Sequence, residues 1–179
     1  MLEKDKTALV IIDVQGKLAE LMHEKEQLWA NLQRLVKAAR VLGLPILWNE
    51  QLPEKLGPTI APLRELLGGL EPMPKNSFSC CGSQSFVEAL QKSGRKQALL
   101  AGIETHVCVY QTAADLLARG YQVQVAADAV SSRFPHNKQI GLDRMKDAGA
   151  VITSTEMALF EMLGKAEGPA FSEIVKIVK

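Results

Sequence analysis

The chain has 179 residues, 47% of them hydrophobic, and a formal net charge of +1. A chain of this length is expected to form a single domain, residues 1–179, with a substantial core. Its balanced charge predicts no nucleic-acid partner and no anionic membrane surface. No apolar run approaches the roughly 20 residues that span a bilayer, and no signal peptide is evident, so we expect a cytoplasmic protein.

The first half of the sequence contains two buried strands and a long helix. Thr7–Ile12 is a continuous β-branched apolar run, which predicts a strand buried on both faces. Helical periodicity extends from about His23 to Leu42, and Pro45–Trp48 predicts a second strand. From Asn49 to Pro74 the sequence is rich in proline and glycine, which predicts a long loop with a short helix near Leu63–Leu67.

The second half continues to alternate between the two periodicities. The pattern S/T-x-x-E occurs at Ser85–Glu88 and at Thr153–Glu156 and predicts a capped helix start at each. The remaining runs predict strands at Gln97–Ala101, Gln122–Ala126 and Ala150–Ile152 and helices at Asn137–Ala148 and Phe171–Val178. Alternating strands and helices favour an α/β fold of three layers, αβα, in which ligands bind at the carboxyl ends of parallel strands.

The stretch from Lys96 to Tyr121 is predicted to form a strand, a tight turn at Gly102 and a helix. Thr105 is expected to be the N-cap, which places Cys108 in the first helical turn. There the helix dipole favours a thiolate, and free backbone N–H groups are suited to hold an oxyanion. A small buried residue that packs the helix on the sheet is an equally good interpretation of this stretch alone.

Two further polar residues are expected at the same edge of the sheet. Asp13 ends the first strand and Lys75 closes the long loop. A nearby ammonium stabilises a thiolate, and a carboxylate is able to take a thiol proton and later deliver it to a leaving amine. Together with Cys108, these groups suit attack on an amide-like carbonyl through a thioester. Taken singly, Asp13 is as well explained as a turn residue and Lys75 as a surface lysine.

The sequence resembles the isochorismatase-like cysteine hydrolases, a family that includes nicotinamidases and N-carbamoyl amidohydrolases. The resemblance rests on Ala8–Gln15 (ALVIIDVQ), Lys75–Ser79 (KNSFS), Ala101–Val109 (AGIETHVCV) and Asp128–Arg133 (DAVSSR). It implies a Rossmann-like fold with a six-stranded parallel sheet, frequent homo-oligomers, and Asp13, Lys75 and Cys108 as a catalytic triad. It also implies a cis peptide bond between Ile103 and Glu104, with backbone N–H groups of Glu104 and Cys108 directed at an oxyanion.

Two departures from the family pattern narrow the expected chemistry. Metal-binding nicotinamidases carry Asp-x-His after the second strand, whereas this chain reads WNEQ at Trp48–Gln51, so we expect no metal and no cofactor. Members that cleave the vinyl ether of isochorismate typically lack the cysteine. We therefore predict a metal-independent hydrolase of a small amide or carbamoyl compound. The alternatives are a non-catalytic oligomeric binding module and a vinyl-ether hydrolase.

Three more residues, Gln15, Phe78 and His106, are candidates for contact with the substrate. Gln15 either lines the pocket or hydrogen-bonds the loop after the first strand. Phe78, with Trp48, either forms an apolar pocket wall or packs in the core. His106 lies two residues before Cys108, and residues so spaced point to different sides of a helix, so we favour exposure or substrate contact over a role as base.

Overall fold

The computed structural model describes residues 1–179 and contains a six-stranded sheet in which every pair of neighbouring strands is parallel. The strands are β1 (Thr7–Ile12), β2 (Ile46–Gln51), β3 (Met73–Lys75), β4 (Gln97–Ile103), β5 (Gln122–Ser131) and β6 (Val151–Thr153). Their order is β3-β2-β1-β4-β5-β6, so the direction of winding reverses between β1 and β4. In open parallel sheets the crevice at such a reversal is the usual place for a ligand.

Helices cover both faces of this sheet. They are α1 (Gly16–Glu20), α2 (Lys25–Leu42), α3 (Pro53–Leu56), α4 (Ala61–Leu66), α5 (Gln84–Lys92), α6 (Tyr110–Ala118), α7 (Pro135–Asp147), α8 (Thr155–Leu163) and α9 (Gly168–Val178). One core lies under α2, α8 and α9, and the other lies under α5, α6 and α7. The predicted three-layer α/β fold with a six-stranded parallel sheet is therefore confirmed.

The central strand β1 explains why the sequence pattern is continuous rather than alternating. Leu9 and Ile11 enter one core, whereas Ala8, Val10 and Ile12 enter the other. Because both faces of the strand are covered, apolar side chains are favoured at every position, and burying each large one contributes about 1.5–3 kcal/mol. No helix in the chain combines the length and apolar character needed to cross a membrane.

The structure differs from the sequence predictions mainly in the first half of the chain. The second strand continues to Gln51, past the predicted end at Trp48, and a third strand, β3, lies in the segment predicted as a loop. The helix predicted from His23 begins at Lys25, after the separate short helix α1. A three-residue strand that contains a proline is too short to give a period-two signal, which is why β3 was not predicted.

Both capping-box predictions are wrong in detail. Helix α5 begins at Gln84, so Ser85 lies inside the helix, where its Oγ is 2.9 Å from Oγ of Ser83. Helix α8 is capped by Ser154, whose Oγ accepts from the N–H of Met157 at 3.2 Å. At α8 the neighbouring Ser154 offers the same hydroxyl group as Thr153, so the local pattern cannot decide between them, whereas the N-cap residue of α5, Ser83, makes no side-chain cap hydrogen bond.

Gly102 is required where β4 passes β1. Its φ is +134°, and a Cβ atom there would lie 2.1 Å from the carbonyl oxygen of Ile12. We expect Gly102→Ala to lower the free energy of unfolding by about 3 kcal/mol or more, since strain and steric overlap add. Gly149 is a matched control, because its φ is +104° but no atom lies within 4 Å of the added Cβ.

The control variant Gly149→Ala should therefore lose only about 1 kcal/mol. Urea unfolding of the two variants measures the difference. Equal losses would contradict the steric contribution at Gly102.

Candidate active site

A buried ion pair lies at the carboxyl ends of the strands. Asp13 directly follows β1 in the left-handed backbone region, at φ +55°, and Lys75 ends β3. Nζ of Lys75 donates to Oδ2 of Asp13 at 2.7 Å, and the two side chains are 0% and 3% exposed. A buried charge without a partner destabilises the folded state, so each of these two charges is stabilised by the other.

The ammonium group of Lys75 is held by three further acceptors. It donates to Oε1 of Gln51 at 2.7 Å and to the carbonyl oxygens of Ser77 at 3.1 Å and Phe78 at 2.9 Å. Because an ammonium has three N–H donors, these partners and Asp13 occupy all of them. Lys75 is therefore fixed in place and affects Cys108 through its charge.

Gln51 is a functional candidate that the sequence reasoning missed. Its side chain accepts from Lys75, its Nε2 donates to the carbonyl of Asn76 at 3.1 Å, and it ends β2 between the ion pair and the loop. The signal in the sequence was the departure from the Asp-x-His motif, since Gln51 belongs to the segment Trp48–Gln51 that stands in its place. No cluster of three or more His, Cys, Asp or Glu residues able to hold a metal occurs in the chain.

Cys108 reaches the same crevice from the other side of the winding reversal. It lies in a π-helical turn, Thr105–Val109, that follows β4 and leads into α6. It is 8% exposed. Thr105 is not the predicted N-cap, because it lies inside this turn and its buried Oγ1 has no hydrogen-bond partner. The structure thus brings Asp13, Lys75 and Cys108 together.

The electrostatics of this cluster favour a protonated sulfur in the free protein. Burial raises the pKa of the Cys108 thiol, the charge of Asp13 raises it further, and the charge of Lys75 only partly opposes them. The sequence-based expectation of a thiolate counted the helix dipole and the lysine but not the removal of water, which raises the pKa of the thiol.

The two oxygens of the Asp13 carboxyl group have different surroundings. Burial raises the pKa of Asp13 above its ordinary value of 3.8, although the charge and the hydrogen bond of Lys75 oppose this. Oδ2 is bonded to Lys75, whereas Oδ1 is buried without a hydrogen-bond partner of standard geometry. An unoccupied oxygen on a carboxylate next to a thiol is suited to receive the thiol proton.

A second polar cluster borders Cys108. The peptide bond between Ile103 and Glu104 is cis. The Glu104 carboxylate accepts from Nε of Arg133 and lies 3.4 Å from Nδ1 of His106. The same Nδ1 is 3.0 Å from Oγ of Ser132. His106 is half-buried and engaged with these groups, so it is not positioned as a base for Cys108.

Of the remaining candidates for substrate contact, Gln15 and Trp48 are buried and Phe78 is exposed. Gln15 is fully buried, and its amide bonds the backbone of Gln51 and Gly57, so it braces the loop after β2 and does not face a pocket. Trp48 is also buried, with its Nε1 bonded to Oγ1 of Thr59 at 2.8 Å. Only the side chain of Phe78, which is 55% exposed, remains available at the edge of the site.

Residues 7–157 match the sequence model of the Isochorismatase domain. The chain therefore belongs to the isochorismatase family of hydrolases, as the sequence resemblance predicted. It is 39% identical to isochorismatase domain-containing protein 2A of Mus musculus, over 98% of this chain and 84% of the relative. It is 40% identical to isochorismatase domain-containing protein 1 of Salmo salar, over 82% of this chain but only 52% of the relative, so it spans about half of that protein.

Solved structures show the same architecture. A structure described as MAR1 ribonuclease from Caenorhabditis elegans superposes with a TM-score of 0.93 at 35% identity, covering 99% of this chain and 91% of that one. The YcaC gene product of Escherichia coli, described as an octameric hydrolase of unknown specificity, has a TM-score of 0.93 at 23% identity, covering 98% and 88%. The second likeness supports the fold alone.

Proposed function

We propose that this hydrolase is a metal-independent cysteine enzyme that cleaves a small amide or carbamoyl C–N bond through a thioester. Asp13, Lys75 and Cys108 are its catalytic triad. The observation that carries the proposal is the asymmetry of the Asp13 carboxylate, which is bonded to Lys75 through Oδ2 and leaves Oδ1 free beside the buried thiol. This arrangement makes the carboxylate a base that is held in one orientation.

The proposed reaction begins with a neutral thiol. Sγ of Cys108 attacks the carbonyl carbon while Oδ1 of Asp13 accepts the thiol proton, and backbone N–H groups of Glu104 and Cys108 bind the oxyanion. The C–N bond then breaks, and Asp13 returns the proton to the leaving nitrogen. Water next attacks the thioester, gives its proton to Asp13, and the carboxylic or carbamic acid leaves as the sulfur regains a proton.

The raised pKa of Asp13 assists this cycle. A base whose pKa lies closer to neutral pH accepts a proton more readily, and burial moves this carboxyl in that direction. The charge and the hydrogen bond of Lys75 oppose the effect of burial on the pKa of Asp13 and favour its ionised form. Lys75 thus acts on the base as well as on the developing charge of the sulfur.

A small substrate fits the depth of the nucleophile. The C. elegans relative is described as a ribonuclease. In this chain, however, the nucleophile is 8% exposed, its base and cation are buried, and the net charge is +1. A bulky polyanion needs an open basic surface, so a compact acyl group is the better match.

We also propose that the chain forms a homo-oligomer. Large apolar side chains are more than half exposed at Phe78, Phe134 and Ile140. The carbonyl group of Phe78 is one of those that hold Lys75. Phe134 directly precedes α7 and Ile140 lies in its middle, and this helix packs on the turn that carries Cys108. Exposed apolar residues near a site are typical of surfaces covered by a partner.

Alkylation by acrylamide as a function of pH tests the proposed proton transfer. We expect Cys108 to react at least ten times faster than Cys80 or Cys81, because only Cys108 has Asp13 as a base. Burial raises the pKa of Cys80 to about 12 and also raises that of Cys81. The Cys108 rate should fall as the pH drops through the Asp13 pKa, which lies above 3.8, since a protonated Asp13 cannot accept the proton.

Peptide mass spectrometry at each pH measures the three rates separately. In Asp13→Asn the acidic limb of the profile should disappear along with the rate advantage of Cys108. Equal reactivity of the three cysteines, or an unchanged profile in Asp13→Asn, would refute the proposed proton transfer.

A further inference from the structure

A second cavity lies between α5 and α6, on one face of the sheet and away from the catalytic cluster. Its volume is about 340 Å³, within the range of small-ligand pockets, and it shares no residue with the catalytic triad. Lys96 and Tyr121 at its mouth immediately precede β4 and β5, so the cavity extends towards the amino ends of the strands. The catalytic cluster occupies the opposite ends.

The floor of this cavity is apolar. Its partly exposed apolar side chains are Val87 of α5 and the ring of Tyr121, which pack against the core that contains Phe86, Leu90 and Leu116. An apolar body placed here would contact side chains that are already fixed by packing, so little ordering would be needed to bind it.

The mouth of the cavity carries two positive charges that form no salt bridge. Nζ of Lys96 lies 5.2 Å from the centre of the Tyr121 ring, and the guanidinium of Arg119 makes one long hydrogen bond, 3.5 Å, to the carbonyl of Cys81. Neither side chain forms a salt bridge, and no Asp or Glu lines the cavity. Arg119 therefore retains most of its five N–H donors for a ligand.

We propose that this cavity binds a small molecule with an anionic head, carboxylate or phosphate, on a short apolar or aromatic body. The head lies between Lys96 and Arg119, and the body lies against Val87 and the ring of Tyr121. The combination of an apolar floor and an unneutralised cationic mouth selects this class over neutral and cationic compounds. The inference does not depend on the proposed catalytic mechanism.

Calorimetric titration of the full chain with matched probes tests this site. Phenylacetate and phenyl phosphate have the proposed form, and 2-phenylethanol has a similar body without the charge. We expect saturable binding of both anions, with a Kd at least ten times lower than that of the alcohol. Binding of the phosphate alone or the carboxylate alone would define the preferred head group.

Variants locate the site and exclude the catalytic cluster. Lys96→Glu and Arg119→Glu, both at exposed positions, should each weaken binding of the anions at least ten-fold. Lys92→Glu makes the same change of charge at an exposed α5 position outside the cavity, and should change the Kd less than two-fold. Cys108→Ala should bind the probes as the parent does, because the catalytic site is elsewhere.

Three outcomes would overturn the proposal. They are the absence of saturable binding up to about 10 mM, equal affinity for the alcohol, and loss of binding in Cys108→Ala. An equal effect of Lys92→Glu and Lys96→Glu on the Kd would also overturn the proposal. It would show that the anions respond to the net charge of the protein and not to the cavity.

Discussion

Replacement of Cys108 by alanine is expected to lower kcat/KM for small amides by about 10⁴-fold, to the level set by substrate binding alone. The sulfur is the proposed nucleophile and is hydrogen-bonded to the proposed base, so its loss is expected to remove covalent catalysis. Cys108→Ser should fall almost as far, because a hydroxyl with a far higher pKa cannot give its proton to Asp13 as readily. Hydrolysis of a panel of amides and carbamoyl compounds measures the effect.

Cys81→Ala is the matched control for this prediction. It also deletes one buried thiol, but Cys81 lies outside the Asp13–Lys75 cluster, so kcat/KM should remain within about two-fold of the parent. A vinyl-ether hydrolase would retain its activity in Cys108→Ala. A non-catalytic binding module would show neither turnover nor a thioester adduct in the parent. Either result would reject the proposed function.

Replacement of Lys75 by methionine is expected to cost both stability and activity. It leaves the Asp13 charge buried without its partner, and breaking a buried pair in this way costs about 3–5 kcal/mol. Activity should fall at least about 10³-fold, because Asp13 then loses its orientation and is more readily protonated. Urea unfolding and steady-state kinetics on the same preparations measure the two losses.

The loss of stability in Lys75→Met is expected to depend on pH in one direction. Lys75 lowers the pKa of Asp13, so its removal moves that pKa further above the value in the unfolded chain. A group whose pKa is raised by folding stabilises the folded state while it is protonated, and that contribution is lost as the pH rises through the folded-state pKa. Lys75→Met should therefore be closest to the parent in stability under acidic conditions and furthest from it at neutral pH.

A double variant separates the structural role of the pair from its chemical role. Asp13→Asn combined with Lys75→Met removes both charges, so it should regain much of the stability lost by Lys75→Met. It should regain no activity, because neither base nor cation remains. Recovery of activity in the double variant, or full stability in Lys75→Met, would show that the pair does not have the role proposed here.

The positions of the main strands were readable from the sequence because burial imposes a local pattern. The run Thr7–Ile12 had to be apolar at every position once both faces of β1 were covered, and its bounds were confirmed. The alternation of predicted strands and helices along the chain predicted the parallel sheet. Asp13 and Cys108 were then expected near each other, because each follows a strand and parallel strands end at one edge.

The contacts that give the site its chemistry depended on strand order and loop packing. No local sequence pattern indicates that Gln51 and two backbone carbonyls accept hydrogen bonds from Lys75. Nor does a local pattern indicate that the side-chain amide of Gln15 donates to backbone carbonyls of a distant loop. These contacts join residues from separate elements, and each loop can satisfy its polar groups in many ways until the neighbouring elements are in place.

The protonation state of the sulfur shows the same division. The sequence by itself indicated which charged groups would meet and that a cysteine would lie near them. Only the tertiary structure decided that both groups are buried, which raises the pKa of Cys108 and that of Asp13. The reason is physical: apolar patterning is a property of neighbouring residues, whereas desolvation is a property of everything packed around a group.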